Sequence, residues 1–153
     1  MIMELPVVNH KDYFAKIGDD HKFPINKFGD LANYLIKKRI VKKFHEPYPC
    51  SEETLKRAHS EKYIKDVINK TLDKIIVKKI GFPLVDSVVK RSLVATGGTV
   101  LASKLAINNG VACNTAGGSH HANYYGGAGY CVFNDVAVAA NYLKNKEYAK
   151  KYS

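Results

Sequence analysis

Residues 111–135 read VACNTAGGSHHANYYGGAGYCVFND. Val111 to Thr115 is short and apolar enough for a buried strand. It runs directly into the Gly117-Gly118 loop that carries His120 and His121. Asn134 or Asp135 then caps a last helix, whose buried stripe is expected at Val136, Ala139, Ala140 and Leu143. In open α/β sheets, sites gather at the carboxyl ends of strands, which is where this order of elements puts the two histidines. Adjacent imidazoles with an unperturbed pKa near ~6.5 can take and give protons at neutral pH. Glycines on both sides let backbone approach a substrate closely. The stretch therefore points to acid/base chemistry.

Working outward, Leu5 to Val8 can form a short first strand. The polar run through His21 to Pro24 leads into a helix whose apolar residues Phe28, Leu31, Ala32, Leu35 and Ile36 follow the i, i+3, i+4, i+7, i+8 spacing. Pro47 and Pro49 interrupt the chain before Ser51, an N-cap followed by Glu52 and Glu53, where carboxylates favour the helix dipole. That short helix is expected to reach about His59. Ser60 with Glu61 repeats the start signal, and Tyr63, Ile64, Val67, Ile68, Thr71, Leu72 and Ile75 then trace an amphipathic helix. After Pro83, Leu84 to Asn109 reads as one long helix or two in series. Ala95, Gly97, Gly98, Thr99, Ala102, Ser103 and Ala106 are small, so a neighbouring element is expected to approach closely there. Gly110 is a helix stop. There is no internal repeat and no linker, so the chain reads as one unit.

Lys and Arg outnumber Asp and Glu by 24 to 14, a balance that raises nucleic acid as a partner. The lysines are spread through helical segments without a nucleic-acid-binding motif, however, and solvated helix faces explain Lys37-Lys38-Arg39, Lys42-Lys43, Lys78-Lys79 and Lys150-Lys151 more simply. Nucleic acid is therefore not the expected partner. Cys50, Cys113 and Cys131 are odd in number and lack a C-x-x-C, which speaks against a disulfide framework or a cysteine metal site and fits a reducing cytoplasm. The N-terminus has no basic start with a long apolar core. The least charged stretch, Ser92 to Ser103, is too short to span a bilayer. A soluble cytoplasmic protein is expected.

The segment GGSHHA followed by GAGYCVFNDVAVAA resembles the histone deacetylase superfamily, most of all its bacterial, class IV-like, acetoin-utilisation-type branch. HKFPINKF from His21, EPYPCSEETLKRAHSEKYI from Glu46 and ATGGTVLASKLAINNGVACNTAGG from Ala95 are similar to family segments in the family's order. The resemblance implies an α/β fold of the arginase/deacetylase type, three-layered with a parallel sheet. It also implies zinc-dependent hydrolysis of an acyl-amide, with acetyl-lysine or a small acetylated amine as substrate. By this resemblance His120 is the electrostatic and orienting member of a catalytic histidine dyad, and His121 is the general base and then acid. Gly129 matches a glycine whose carbonyl meets the substrate amide, and Tyr130 stands where many members have a phenylalanine lining the acyl-lysine tunnel. Cys131 completes the G-[FY]-C pattern and is otherwise a small hydrophobe.

In the family, zinc is bound by an Asp-x-His motif and a later Asp, and each dyad histidine meets a buried Asp. All of these lie C-terminal to the residues present here. The resemblance thus implies the N-terminal portion of a deacetylase domain, incomplete before its zinc ligands, with no metal ligand of its own and no activity in isolation. A C-terminal half, as in a split enzyme, or a second copy of the chain is the expected partner. The alternative is a truncated non-catalytic remnant or interaction module. Asp19-Asp20-His21 spells Asp-x-His, but far ahead of the family's ligand position, and is not read as a metal site. Gly126-Gly127-Ala128-Gly129 lacks the G-K-[ST] and the spacing of a nucleotide loop. His10, His45 and His59 are expected to be ordinary surface or interface residues, and Asn123, Tyr124 and Tyr125 to shape the rim of the site.

Overall fold

The structure, a computed structural model, describes residues 4–146. Its sheet consists of two parallel strands, β1 (Val7–Val8) and β2 (Cys113–Asn114), in the register Val7 to Cys113 and Val8 to Asn114. On the other side of β1, His45 forms a parallel bridge with Val8. Its N–H donates to Val7 O at 2.9 Å, and Asn9 N donates to His45 O at 3.1 Å. The expected parallel pairing is present, but β2 is not buried: Cys113 is exposed and Val111 is 57% exposed. Among the described residues no strand pairs with the outer edge of β2.

Six α-helices accompany this ribbon among the described residues, and α5 packs against both strands. In order they are α1 (Lys27–Lys37), α2 (Glu52–Leu55), α3 (Glu61–Ile68), α4 (Lys74–Ile80), α5 (Asp86–Asn109) and α6 (Asp135–Asn145). The sequence signals for their ends are physically sound. Ser51 and Ser60 accept from the N–H groups of Thr54 and Tyr63, satisfying donors that a helix start leaves open. Gly110 closes α5 at φ +84°, a conformation that favours glycine. The stretch expected as one helix or two is one long helix, Asp86–Asn109. After Leu55 the chain continues to His59 as turns and not as helix.

Three further expectations are corrected. The amphipathic stretch from Tyr63 to Ile75 is two helices, because Lys70 adopts φ +59° and Asp73 Oδ1 accepts from Ile75 N at 2.7 Å to start α4 afresh. In α1 only Phe28 and Ala32 are buried, while Leu31 and Ile36 are more than two-fifths exposed, since the helix is covered on only part of its apolar face. The buried face of α6 is Asp135, Val138, Ala139 and Leu143, whereas Val136 is 52% exposed. This stripe is turned by one residue from the expected one because Asn134 takes the cap and Asp135 points inward.

The core gathers along α5 and joins α3, α6 and the ends of the loops through Leu55, Ile64, Val67, Val88, Phe133 and Val138. Close approach at the small residues of α5 is borne out. A Cβ at Gly97 would lie 2.0 Å from Tyr48 O, and one at Gly98 would lie 2.1 Å from the Tyr13 hydroxyl. The 46–50 segment and the 11–13 turn can therefore lie against the helix backbone. Tyr13, wholly buried, thereby reaches the residues beneath the histidine loop.

Candidate functional site

The histidine loop leaves the carboxyl end of β2 and is held at both ends by side chains from other elements. At its start, Gly118 N and Ser119 N donate to Asp135 at 2.9 Å and 2.7 Å. Thr99 of α5 donates its hydroxyl to the same carboxylate at 2.5 Å. Behind Thr99, Asn114 Nδ2 donates to Thr99 Oγ1 at 2.9 Å, and the Tyr13 hydroxyl donates to Asn114 Oδ1 at 2.7 Å. Burial pushes the Tyr13 phenol above its ordinary range, so it remains a donor.

At the far end the anchor is His59, 1% exposed. Its Nδ1 lies 2.8 Å from Asn123 O, and Asn134 N lies 2.9 Å from its Nε2. A carbonyl only accepts and an N–H only donates, so Nδ1 carries the hydrogen and the ring is neutral. Burial lowers the pKa of His59, with the Asn123 bond opposing that shift. The Asn134 amide also reaches Ala122 O at 3.1 Å. His59, expected at the surface, is thus a buried brace. His10 caps the 11–13 turn, and His45 bridges β1 through its backbone.

Between these anchors the structure brings His120 and His121 together, with ring centroids 4.1 Å apart and planes inclined by 44°. Both are exposed. His120 Nδ1 lies 3.1 Å from Gly118 O. Gly129 packs on the other ring: a Cβ there would lie 3.0 Å from His121 Cδ2, and φ is +54°. Three of the four expected site residues, His120, His121 and Gly129, are therefore contiguous.

Tyr130 lies beside them but is set by a different neighbour. Gly129 N and Tyr130 N donate to Lys79 O and Ile80 O at the end of α4, at 2.9 Å and 2.7 Å. The Tyr130 ring packs against His21, Phe23 and Phe82, with centroids 5.2–5.8 Å apart, and remains 37% exposed. His21 is fixed in turn by a hydrogen bond from Nε2 to Gly81 O at 2.7 Å. Cys131 is buried, as a small apolar residue would be. At the rim, Asn123 Oδ1 accepts from Tyr125 N and Gly126 N, both at 2.9 Å, in a tight turn that presents Tyr124 and Tyr125 to solvent.

Residues 21–152 match the Histone deacetylase domain family. The chain belongs to the histone deacetylase family. An uncharacterized protein of Picosynechococcus sp. is 36% identical over 151 residues, covering 97% of this chain and 50% of that protein. Histone deacetylase 2 of Arabidopsis thaliana is 30% identical over 139 residues, covering 84% of this chain and 35% of its own length. In structure, an HDAC homologue complexed with SAHA superposes with a TM-score of 0.76 at 23% identity, covering 94% of this chain and 42% of that one. The fold is accordingly the arginase/deacetylase type of α/β fold, represented in part. The chain spans half or less of the length of these relatives.

Histone deacetylase relatives imply zinc, and the donors here can be tested against it. Among the described residues no group of three or more His, Cys, Asp or Glu side chains is placed to hold a metal ion. The imidazoles of His120 and His121 are adjacent, but among the described residues they join no group that could hold a metal ion, so these residues alone do not fit a resident metal. Asp19, Asp20 and His21 form no exception, since His21 is engaged with Gly81 and Phe23.

Two residues that anchor the loop escaped the sequence. Asp135 and Asn134 were both plausible caps, and nothing in their order says that Asn134 caps while Asp135 turns inward. His59 carries no local signal, because both its partners lie more than sixty residues away. Among the described residues no helix is long and apolar enough to cross a membrane.

Proposed function

We propose that this chain supplies the acid/base portion of a zinc-dependent deacetylase that hydrolyses an acyl-amide, either acetyl-lysine or a small acetylated amine. The zinc ligands would come from a complementing segment outside these residues, so the chain corresponds to the N-terminal portion of the domain. The observation that carries the reading is the pair of imidazoles 4.1 Å apart on a loop pinned at both ends.

Hydrolysis adds water across the C–N bond, giving a carboxylic acid and an amine. One group must remove a proton from the attacking water and return one to the leaving nitrogen. His121 has that role here, since its ring is exposed and makes no hydrogen bond among the described residues. His120, with Nδ1 turned to Gly118 O and its ring 4.1 Å from that of His121, supports charge that develops beside the pair. Gly129 offers a carbonyl to the substrate amide beside His121, and the Tyr130 ring offers a flat wall for the acyl chain.

The test uses the purified chain, an acetyl-lysine peptide and an N-acetylated diamine. Each is assayed alone and after mixing with Zn2+ and the C-terminal half of the Picosynechococcus relative. No turnover is expected from the chain alone, and turnover on mixing should be lost in His121→Ala. Turnover that His121→Ala leaves intact would refute the assignment. The exposure of both rings, with no metal-holding group around them among the described residues, favours a second reading as a non-catalytic interaction module. Absence of turnover with a stably bound C-terminal half would support that one.

A further inference from the structure

The helix α4 reads KIIVKKI and carries no carboxylate of its own. Helical spacing divides it into two faces. Ile80 is buried, and Ile76 is partly buried beside the rim turn, where a Cβ on Gly126 would lie 3.7 Å from Ile76 Cγ2. Lys74, Ile75, Lys78 and Lys79 stand on the other side, all exposed. Lysines of the neighbouring helices are paired: Lys62 with Asp66, Lys65 with Glu61 and Lys90 with Asp12. Lys74, Lys78 and Lys79 form no ion pair among the described residues. The acid closest in sequence is the N-cap Asp73, whose Oδ1 accepts from Ile75 N at 2.7 Å at the far end of the helix from Lys78 and Lys79. The helix dipole favours cations in the last turn, but its roughly half a charge does not neutralise two of them.

This helix is also the shelf on which one end of the histidine loop rests. Lys79 O and Ile80 O accept from Gly129 N and Tyr130 N at 2.9 Å and 2.7 Å, so the cations are held at a fixed place beside Gly129 and Tyr130. At the adjoining turn, Tyr124 and Tyr125 are 50% and 75% exposed, with ring centroids 4.9 Å apart and planes nearly perpendicular. Exposed rings take up the apolar parts of a bound chain, and unpaired ammonium groups take its carboxylates. The net charge of +10 draws an anionic partner toward this surface from further away.

We propose that the face formed by Lys74, Lys78 and Lys79 with Tyr124 and Tyr125 docks the acidic flank of a polypeptide whose acyl-lysine enters beside Gly129 and Tyr130. The position of the acyl-lysine rests on the deacetylase reading; the docking of the flank does not. Lys74 to Lys79 spans about 7.5 Å along the helix axis, at ~1.5 Å per residue. Carboxylates at alternate positions of an extended chain lie about 7 Å apart on one side, which fits that span. A face this short meets only about two phosphates of a nucleic-acid strand. Of the two substrate classes, the acyl-lysine polypeptide is thereby favoured over a small acetylated diamine, whose free amine is cationic at neutral pH and is repelled by the same lysines.

The experiment is fluorescence anisotropy with the 153-residue chain, alone and mixed with the C-terminal half of the Picosynechococcus relative. Three labelled peptides share a central acetyl-lysine and carry alternating Asp, Asn or Lys in the flank. At low ionic strength the acidic peptide should bind roughly tenfold more tightly than the neutral one, from about twofold for each of three exposed cations. Added salt should shrink that ratio, and the basic peptide should bind most weakly. The triple variant Lys74→Gln, Lys78→Gln, Lys79→Gln should abolish the ratio. The triple variant Lys37→Gln, Lys38→Gln, Lys42→Gln lowers the net charge equally at lysines that also lack ion pairs among the described residues, and should preserve it. Equal losses in the two variants, or equal binding of acidic and neutral peptides, overturns the proposal. So does loss of the ratio on mixing with the C-terminal half, which would place that half on this face, or a single-stranded oligonucleotide that binds more tightly than the acidic peptide and loses as much in the α4 variant. An acidic peptide with alanine in place of the acetyl-lysine should keep the advantage of its flank. No readout requires turnover, so failure of the deacetylase reading and failure of this one are separately visible.

Discussion

Replacing His59 by leucine removes a buried ring of similar bulk together with both of its hydrogen bonds. Asn123 O and Asn134 N are then left without their partner. Each orphaned, part-buried group costs ~1–3 kcal/mol where water does not replace the partner, so a loss of up to about 6 kcal/mol is expected, a large share of a typical 5–15 kcal/mol stability. The loss should also depend on pH, with a definite sign. Burial holds the folded pKa of His59 below its ordinary value, while the unfolded ring titrates near ~6.5. Below that pH the unfolded chain binds the extra proton, so the contribution of His59 is fully present above about 6.5 and is lost as pH falls toward the folded pKa. If the folded ring stays neutral, its contribution falls by about 1.4 kcal/mol between pH 7.5 and 5.5, one proton at ~1.36 kcal/mol per pH unit. The assay is urea unfolding followed by circular dichroism, with the parent and His59→Leu chains at both pH values. The other histidines are common to both chains and cancel in the difference. The stability gap should narrow on acidification, and a gap that stays constant or widens would refute the reasoning.

Gly97→Ala should destabilise the chain by about 2–3 kcal/mol in thermal melts, although alanine is the better helix former by ~1 kcal/mol; its Cβ would meet Tyr48 O at 2.0 Å. Gly129→Ala places a Cβ 3.0 Å from His121 Cδ2 at φ +54°. It should cost ~1–2 kcal/mol in melts and, in the complemented enzyme, lower kcat about a hundredfold with little change in KM. A maleimide at pH 7.5 should label the exposed Cys113 first, as peptide mass mapping would show. Cys50, whose thiol burial pushes up to about 12, should label only after denaturant is added.

Local signals were the legible part of this protein. Ser51, Ser60 and Gly110 mark helix ends because capping is decided within four residues, and the structure places helix ends at each. The placement of the histidine loop was legible, because a short apolar strand running into paired glycines is a local signal, and the structure sets the loop at the end of β2 with the two rings side by side. What pins the loop was not legible. The partners of Asp135 lie on α5 and in the loop before it, and those of His59 lie 64 and 75 residues away. The same long-range demand explains the phase of α6. Hydrophobic period alone put Val136 inside, whereas the need to satisfy Gly118 and Ser119 turns Asp135 inward and Val136 outward. The break at Lys70 was hidden because the apolar residues of α3 and α4 happen to continue one helical period across it.

The pairing of β1 with β2 joins Val7 to Cys113, and Tyr13 reaches Asn114 across 101 positions. Closing a flexible loop of about 100 residues carries an entropic cost of ~4 kcal/mol from length alone, before any contact repays it. The contact between α5 and α6 spans far less chain and can form first. The histidine loop sits where these two orders of assembly meet, since Asp135 belongs to α6 while Asn114 waits for the returning N-terminal turn. The imidazole pair is therefore expected to be among the last parts of the chain to set during folding and among the first to loosen. The side-by-side arrangement of the imidazoles would then exist only in a chain whose N-terminal strand and turn have already reached Cys113 and Asn114, and a nascent or partly unfolded chain would lack it.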